Sequence, residues 1–325
     1  MRRSPFILAA LSSFILHPSS FGQLPTFEDF QRVDRIRRLT GQLQTAELLA
    51  VTQIEPSLIK RTAEKHADDV TILWGAAEFV SDWPSKRQLF EQALHVGGTN
   101  AAEALRFACA AAKAQKFEVA RSWLHYCQEK DADNVVPRLA ELWIQRQQNL
   151  PLELAKPPAK WTAQFRDYSV EASRARIKLL EAAGYSAYAA RRLGFNADSV
   201  ALTMVHDLGQ PPFEPVALPI LKSTAKAMQE RQPFLLDELV GQSLERMLVS
   251  NRADAEPSPE VRMRVIEMNE RRDAIKQLLA DMERDTIDLA TERQMVHYFD
   301  DALTYGEEPA MNRLAEAVHG KASNQ

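Results

Sequence analysis

The sequence predicts an all-α protein whose first half consists of stacked helical hairpins. Leu, Ala, Glu, Gln and Arg dominate the 325 residues, and all five favour helices. Only 11 glycines are present, and the long alternating runs of Val, Ile and Thr that mark strands are missing. Asp69, Asn100 and Asn134 recur at intervals of 31 and 34 residues. Each begins a helical pattern, where its side chain can cap free backbone N–H groups.

Residues 1–22 have the order of a secretory signal peptide. Two arginines are followed by an apolar stretch, which is shorter than the roughly 20 residues that span a bilayer. Small residues then occupy Ser20 and Gly22. We therefore predict cleavage after Gly22 and a periplasmic or extracellular location. The alternative is an ordinary buried N-terminal helix.

The overall charge disfavours nucleic acid as a partner. The formal net charge is −4, and it becomes −6 when the signal peptide removes two arginines and no acid. Residues 184–207 resemble a helix-turn-helix, but the second helix has no Lys or Arg to reach phosphates or bases. We expect neither a nucleic-acid partner nor a transmembrane segment in the mature protein.

Proline positions divide the mature chain into two helical regions. Residues 23–148 form the first region, with the repeats at 67–148. A proline-rich linker follows at 149–160, because proline pairs end helices. Residues 161–320 form the second α-helical domain.

Within the first region, residues 27–39 have the pattern of the first helix, and Pro56 suits the first turn of the next. Residues 69–98 predict a helical hairpin. Ala76 supplies a small side chain where its two helices cross, and Pro84 opens the second helix.

The second region begins with a helical pattern over residues 161–183. Apolar residues from 261 to 282 lie at helical spacing and predict one face of a long helix. Residues 285–305 are its expected antiparallel partner. Together these two helices would form a C-terminal hairpin.

Residues 100–133 read NAAEALRFACAAAKAQKFEVARSWLHYCQEKDAD. Phe107 and Ala108 form a large-small pair on a first helix, and Ala120 is a small residue early in a second. This 34-residue segment resembles one tetratricopeptide repeat. It departs from the family pattern at Lys116, where glycine is commoner, and it lacks the closing proline.

The resemblance implies a short α-solenoid in which the first helix of each hairpin lines a concave groove. The side chains that it assigns to a peptide-binding groove are Trp74, Glu78, Leu105, Cys109, Ala112, Leu139, Trp143 and Arg146. They form a mostly apolar strip that suits a protein or peptide partner. In the alternative arrangement, the later helical domain folds back and fills this groove.

The sequence shows no catalytic, metal or cofactor motif. His206 and His297 have aspartates beside them but lack the spacings of known metal sites. Cys109 and Cys127 should stay unbonded, since paired helices would offset them by roughly 8–9 Å along the axis. The leading hypothesis is an exported protein-interaction scaffold. An envelope enzyme with a site assembled from distant helices is second, and a purely structural subunit is third.

Overall fold

The computed structural model describes residues 24–40, 51–98, 100–153, 164–195, 200–210, 214–230, 234–250 and 258–320. These residues form fifteen α-helices, and within them the only β-structure is an isolated bridge between Asn134 and Gln164. The all-α prediction is therefore confirmed for the part of the chain described. The predicted signal peptide lies outside these residues, as does the linker beyond residue 153.

The first seven helices lie in the predicted first region, residues 23–148, which we call the repeat region after its predicted repeats. They are α1 Phe27–Thr40, α2 Pro56–Lys65, α3 Val70–Phe79, α4 Trp83–Gly97, α5 Ala101–Lys113, α6 Phe117–Lys130 and α7 Val136–Gln147. Two of the predicted caps begin helices, since Asp69 accepts hydrogen bonds from Thr71 N and Ile72 N, and Asn100 accepts one from Glu103 N. Helix α3 packs on α4 and α5 packs on α6, as hairpins should.

The remaining eight helices are α8 Ser169–Ala182, α9 Ala187–Gly194, α10 Val200–Leu208, α11 Leu218–Gln229, α12 Leu235–Ser250, α13 Pro259–Asp281, α14 Glu292–Tyr305 and α15 Glu307–His319. The predicted start of α8 near residue 161 is wrong. Residues 164–168 are not helical, because Gln164 exchanges backbone hydrogen bonds with Asp133 and Val135 at 2.9 Å each. This pairing ties the start of the second region to the repeats.

The predicted long helix is present as α13, but its expected hairpin partner is wrong. Helix α14 packs mainly against α15. The two helices are joined at Gly306, whose φ of +96° lies in the region that favours glycine. So short a connection makes α14 and α15 neighbours. A π-helical turn, Met282–Thr286, follows α13 instead of a simple reversal.

The hydrophobic core is shared by both halves of the chain. One cluster joins Leu105 and Leu139 of the repeats with Met204 and Ile220 of the second region. A second cluster joins residues of α1–α4 with residues of α8, α9, α14 and α15. Each half therefore completes the core of the other.

Candidate functional site

The structure buries the face that the repeat resemblance assigns to a peptide groove. Six of its eight side chains are at most 6 % exposed, namely Trp74, Leu105, Cys109, Ala112, Leu139 and Trp143. Glu78 and Arg146 are half-buried. Side chains that were expected to meet a ligand meet the protein's own helices instead, which corresponds to the alternative of a filled groove.

Helices from the second region cover this face. Ala172 and Ala175 of α8 share a hydrophobic cluster with Trp74. A Cβ atom at Gly75 would lie 2.2 Å from the carbonyl oxygen of Ala175, so the α3 and α8 backbones almost touch there. Helix α10 packs on α7 in the same way and covers Trp143.

Several polar groups on the covered face have partners inside the protein. Glu78 accepts hydrogen bonds from Trp74 Nε1 at 3.1 Å and from Arg106 at 2.6 and 2.9 Å. Burial alone would raise the pKa of Glu78, but the Arg106 guanidinium outweighs it and lowers that pKa to about 2. Trp143 Nε1 donates to Asp207 Oδ2 at 2.8 Å. These contacts stabilise the filled groove.

Cys109 and Cys127 lie in the same interior and offer no reactive thiol. Both are free and buried in the structure, as the predicted hairpin geometry requires. Burial raises the pKa of each thiol to about 12. Because the thiolate is the nucleophilic form, neither side chain is suited to catalysis.

A cleft of about 1370 Å³ opens within the second region, beside the segment 164–168 that joins this region to the repeats. We call it the junction cleft. Residues 164–171 form one wall, and the end of α11 with the start of α12 forms another. Arg271 of α13 and residues 303–309, around the α14–α15 turn, complete it. The cleft is thus assembled from segments far apart in the sequence.

The first wall is held in an unusual conformation. Tyr168 has a φ of +58°, which is uncommon for a residue other than glycine. Its hydroxyl donates to Asp131 Oδ2 at 2.6 Å, and Asp131 also pairs with Arg166. The adjacent Asp167 accepts hydrogen bonds from Ser169 N at 3.0 Å and Ser169 Oγ at 2.6 Å. These bonds hold the strained segment against the repeats.

Two carboxyl groups lie near the start of α12, where Asp237 is buried behind the cleft wall and Glu307 of α15 is half-buried. Glu307 lines the cleft and accepts a hydrogen bond from Leu235 N at 2.7 Å, which caps α12. Asp237 is 1 % exposed, and its Oδ1 has no hydrogen-bond partner among the described residues. Burial raises the pKa of Asp237 to about 8, and the charges of Asp167 and Glu307 add to the shift. The pKa of Glu307 is raised too, chiefly by burial.

Arg271 closes one end of the junction cleft. It donates to both carboxylate oxygens of Glu238, at 2.7 and 2.9 Å, and to both of Glu308, at 3.1 and 2.6 Å. These bonds attach α13 to α12 and to α15. A second cavity, beneath α13, adjoins the junction cleft, because Gln229, Glu230, Glu238 and Arg271 line both.

Carboxyl groups outnumber cations around the junction cleft. Among the residues that the structure describes, its lining contains six acidic side chains, Asp167, Glu171, Glu230, Glu238, Glu307 and Glu308, and three arginines, Arg166, Arg174 and Arg271. The chemistry offered is therefore hydrogen-bond acceptance and attraction of positive charge. No sequence pattern marks this site, because acids near helix starts are ordinary caps.

The histidine–aspartate groups considered in the sequence do not converge on a metal site. Asp300 is engaged by Arg191 and Asp301 by Arg313. Within the described ranges, no group of three or more His, Cys, Asp or Glu side chains is placed to hold a metal ion. No helix in the described part of the chain is both long enough and apolar enough to cross a membrane.

Comparison with known proteins found no family model, curated protein or solved structure that matches this chain. The resemblance of residues 100–133 to a tetratricopeptide repeat therefore rests on the sequence pattern alone. The functional argument rests on the geometry of the junction cleft and on the burial of the concave face.

Proposed function

We propose that this chain is an exported scaffold that binds a protein or peptide, and that the bound segment lies in the junction cleft. The observation that carries the proposal is the 1370 Å³ cleft with its majority of carboxyl groups. The concave face of the repeats is not the proposed surface, because α8 and α10 cover it.

The size of the cleft favours a polymer segment over a small metabolite. Pockets for small molecules usually enclose about 300–1,000 Å³. The junction cleft is larger, and its walls come from four separate parts of the chain. An extended peptide would contact all of these walls at once. Tyr305, which is 57 % exposed at the rim, offers the type of side chain that is enriched at protein interfaces.

The charge of the cleft favours a segment that carries Lys or Arg. Arg271 is already held by Glu238 and Glu308, so it does not offset the remaining acids. Glu171 and Glu230 line the cleft and are exposed, and Glu230 Oε1 lies 3.8 Å from Lys226 Nζ, an exposed and therefore weak pairing. Complementary charge of this kind steers a partner and sets its orientation.

Binding of short synthetic peptides to the mature chain, residues 23–325, tests this proposal. Peptides of matched length should carry Lys and Arg, only neutral residues, or Asp and Glu. We expect the cationic set to bind best, with an affinity that falls as salt rises. The double variant Glu171→Lys with Glu230→Lys should weaken that binding at least tenfold, because it reverses two charges at the opening.

The matched control is Glu118→Lys with Glu129→Lys, which makes the same charge change on the exposed surface of α6. Wild-type affinity in the control, together with loss in the cleft variant, supports the cleft. Equal loss in both variants would mean that only net charge matters. Failure of the wild-type chain to prefer cationic peptides would also rule the proposal out.

Export is part of the same proposal and is supported by the order of features in residues 1–22. The N-terminus of the protein purified from its native source should begin at or within a few residues of Gln23. An intact Met1 would contradict export by a cleaved signal.

A further inference from the structure

Helix α13 is attached to the rest of the second region with little help from apolar packing. Of its 23 residues, all of which the structure describes, only Met268 and Ile275 are buried. Polar contacts to neighbouring helices make up much of the attachment. Arg264, for example, donates to both oxygens of Glu245 at 3.1 Å, but its side chain is 46 % exposed, so water weakens the pair. Separating α13 from its neighbours would therefore expose less apolar surface than separating a core helix.

The surroundings of α13 also leave room for this helix to move. A cavity of about 860 Å³, open to solvent, lies between α13 and the α11–α12 pair. At its C-terminal end the helix continues into the π-helical turn Met282–Thr286, in which Met282 is 4 % exposed. That end is anchored by the buried Met282 side chain. An irregular turn at the end of a helix is a place where a hinge movement can be absorbed.

Arg271 carries a cation from α13 into the junction cleft. Its guanidinium donates to both oxygens of Glu238 of α12 and to both oxygens of Glu308 of α15. The three side chains line the cleft, and Arg271, Glu238 and Glu308 are 37 %, 17 % and 38 % exposed. A guanidinium matches a carboxylate with two parallel bonds, which an ammonium group does not reproduce. The chain's own arginine thus makes the contacts that an arginine of a bound segment would make there.

We propose that α13 is an autoinhibitory arm, in which Arg271 occupies Glu238 and Glu308 until an arginine of the bound segment takes its place and releases the helix. This inference rests on the proposed function, the binding of a cationic segment in the junction cleft, and it adds that the segment carries arginine. The exchange replaces one guanidinium by another on the same two carboxylates, so neither acid loses its partner. Its cost is the detachment of a helix that has few buried side chains.

Hydrogen–deuterium exchange of the mature chain, with and without a saturating arginine-bearing peptide, tests the release of α13. A helix that loses its packing partners is only marginally stable, so we expect the peptide to speed exchange in residues 259–281 about tenfold. Exchange in residues 303–309, in the wall of the cleft, should become slower. Peptide binding with unchanged or slower exchange in α13 would overturn the arm and leave the cleft as a binding site. Absence of any binding of cationic peptides would overturn the proposed function and the arm together.

Arg271→Met removes the internal guanidinium. It should strengthen binding of the arginine peptide about tenfold, and binding of a matched lysine peptide by less than about threefold, because only arginine reproduces the paired bonds. The matched control is Arg174→Met, since Arg174 lines the same cleft but donates to Leu303 O. It removes the same charge without freeing a carboxylate. Equal gains in the two variants, or for the two peptides, would overturn the competition by Arg271. If Arg271→Met does not fold, the exchange measurement on the wild-type chain still decides.

Discussion

Two carboxyl groups with little exposed surface, Glu78 and Asp237, have pKa values shifted in opposite directions. Burial acts on both to favour the neutral form. Beside Glu78, the Arg106 guanidinium reverses that effect and keeps the side chain charged. Beside Asp237, the negative charges of Asp167 and Glu307 raise the pKa further than burial alone does. The first carboxylate stabilises the core through its ion pair with Arg106, while the second makes the stability of the fold depend on pH.

Asp237→Asn should make the protein more stable at pH 8 than the wild type. The pKa of Asp237 is about 8 in the folded chain, against a usual 3.8. Between about pH 4 and pH 8 the folded state keeps a proton that the unfolded state releases, so the wild type loses stability as pH rises. The loss reaches at most about 6 kcal/mol, and we expect asparagine to recover about 1–3 kcal/mol of it. Denaturant unfolding at pH 8 and pH 4 measures the difference.

The stability gained from Asp237→Asn should be small at pH 4, where the wild-type carboxyl is already protonated in the folded state. Asp273→Asn is the control, because Asp273 is 66 % exposed on α13. It should change stability by less than about 0.5 kcal/mol at either pH. A gain at pH 8 that is equalled at pH 4 would show that ionisation of Asp237 is not its cause.

At the scale of single elements, local chemistry was enough to predict much of the repeat region. Asp69 and Asn100 begin helices because each side chain binds N–H groups only two or three residues away. The start of α8 depends instead on Asn134, whose Nδ2 donates to Arg166 O at 2.7 Å across 32 residues. No local pattern encodes such a contact. The sequence therefore predicted α3–α6 well and misplaced the start of α8.

The candidate site was not predictable for the same reason. Tyr168, Glu238 and Glu307 belong to three different segments of the chain and are brought together only by packing. Each alone resembles an ordinary residue near a helix start. The repeat resemblance assigns the groove residues to one face of the first helices, and the residues at that helical period are mostly apolar. The period cannot show whether that face meets a ligand or another helix of the same chain.

Gly75→Ala should destabilise the protein although it favours a helix. In an exposed helix this change stabilises by roughly 0.5–1 kcal/mol. Here the new Cβ would lie 2.2 Å from Ala175 O and 3.1 Å from Leu179 Cβ, so α3 and α8 would have to separate. We expect a net loss of about 1–3 kcal/mol in the free energy of unfolding. Thermal and denaturant unfolding measure it.

Thr71→Ala is the comparison for this substitution, because it lies on the same helix at a half-buried position. It should alter the free energy of unfolding by well under that amount. If Gly75→Ala instead raised stability, the close approach of α3 and α8 would not exist as described.

For the molecule as a whole, the repeats and the second region behave as one folding unit. Helix α8 packs on α3 as closely as the two helices of a hairpin pack on each other. The hydrophobic clusters contain residues of both regions. A chain built in this way should unfold in one cooperative step. An independent repeat stack beside an independent helical domain would give two separate unfolding transitions.

The double substitution Leu105→Glu with Trp143→Glu tests this shared core directly. Leu105 is 0 % exposed and Trp143 is 6 % exposed, so both new carboxylates would be buried without a cationic partner. Each would cost several kcal/mol, and the pair approaches the whole stability of a typical domain, about 5–15 kcal/mol. We expect the variant to unfold or aggregate, as seen by circular dichroism and size-exclusion chromatography.

Val96→Glu with Leu150→Glu is the matched control, since these side chains are 42 % and 48 % exposed. That control should fold and melt near the wild-type temperature. If the Leu105–Trp143 variant also melted cooperatively near that temperature, the concave face would be open in solution. The site of partner binding would then have to be sought there and not in the junction cleft.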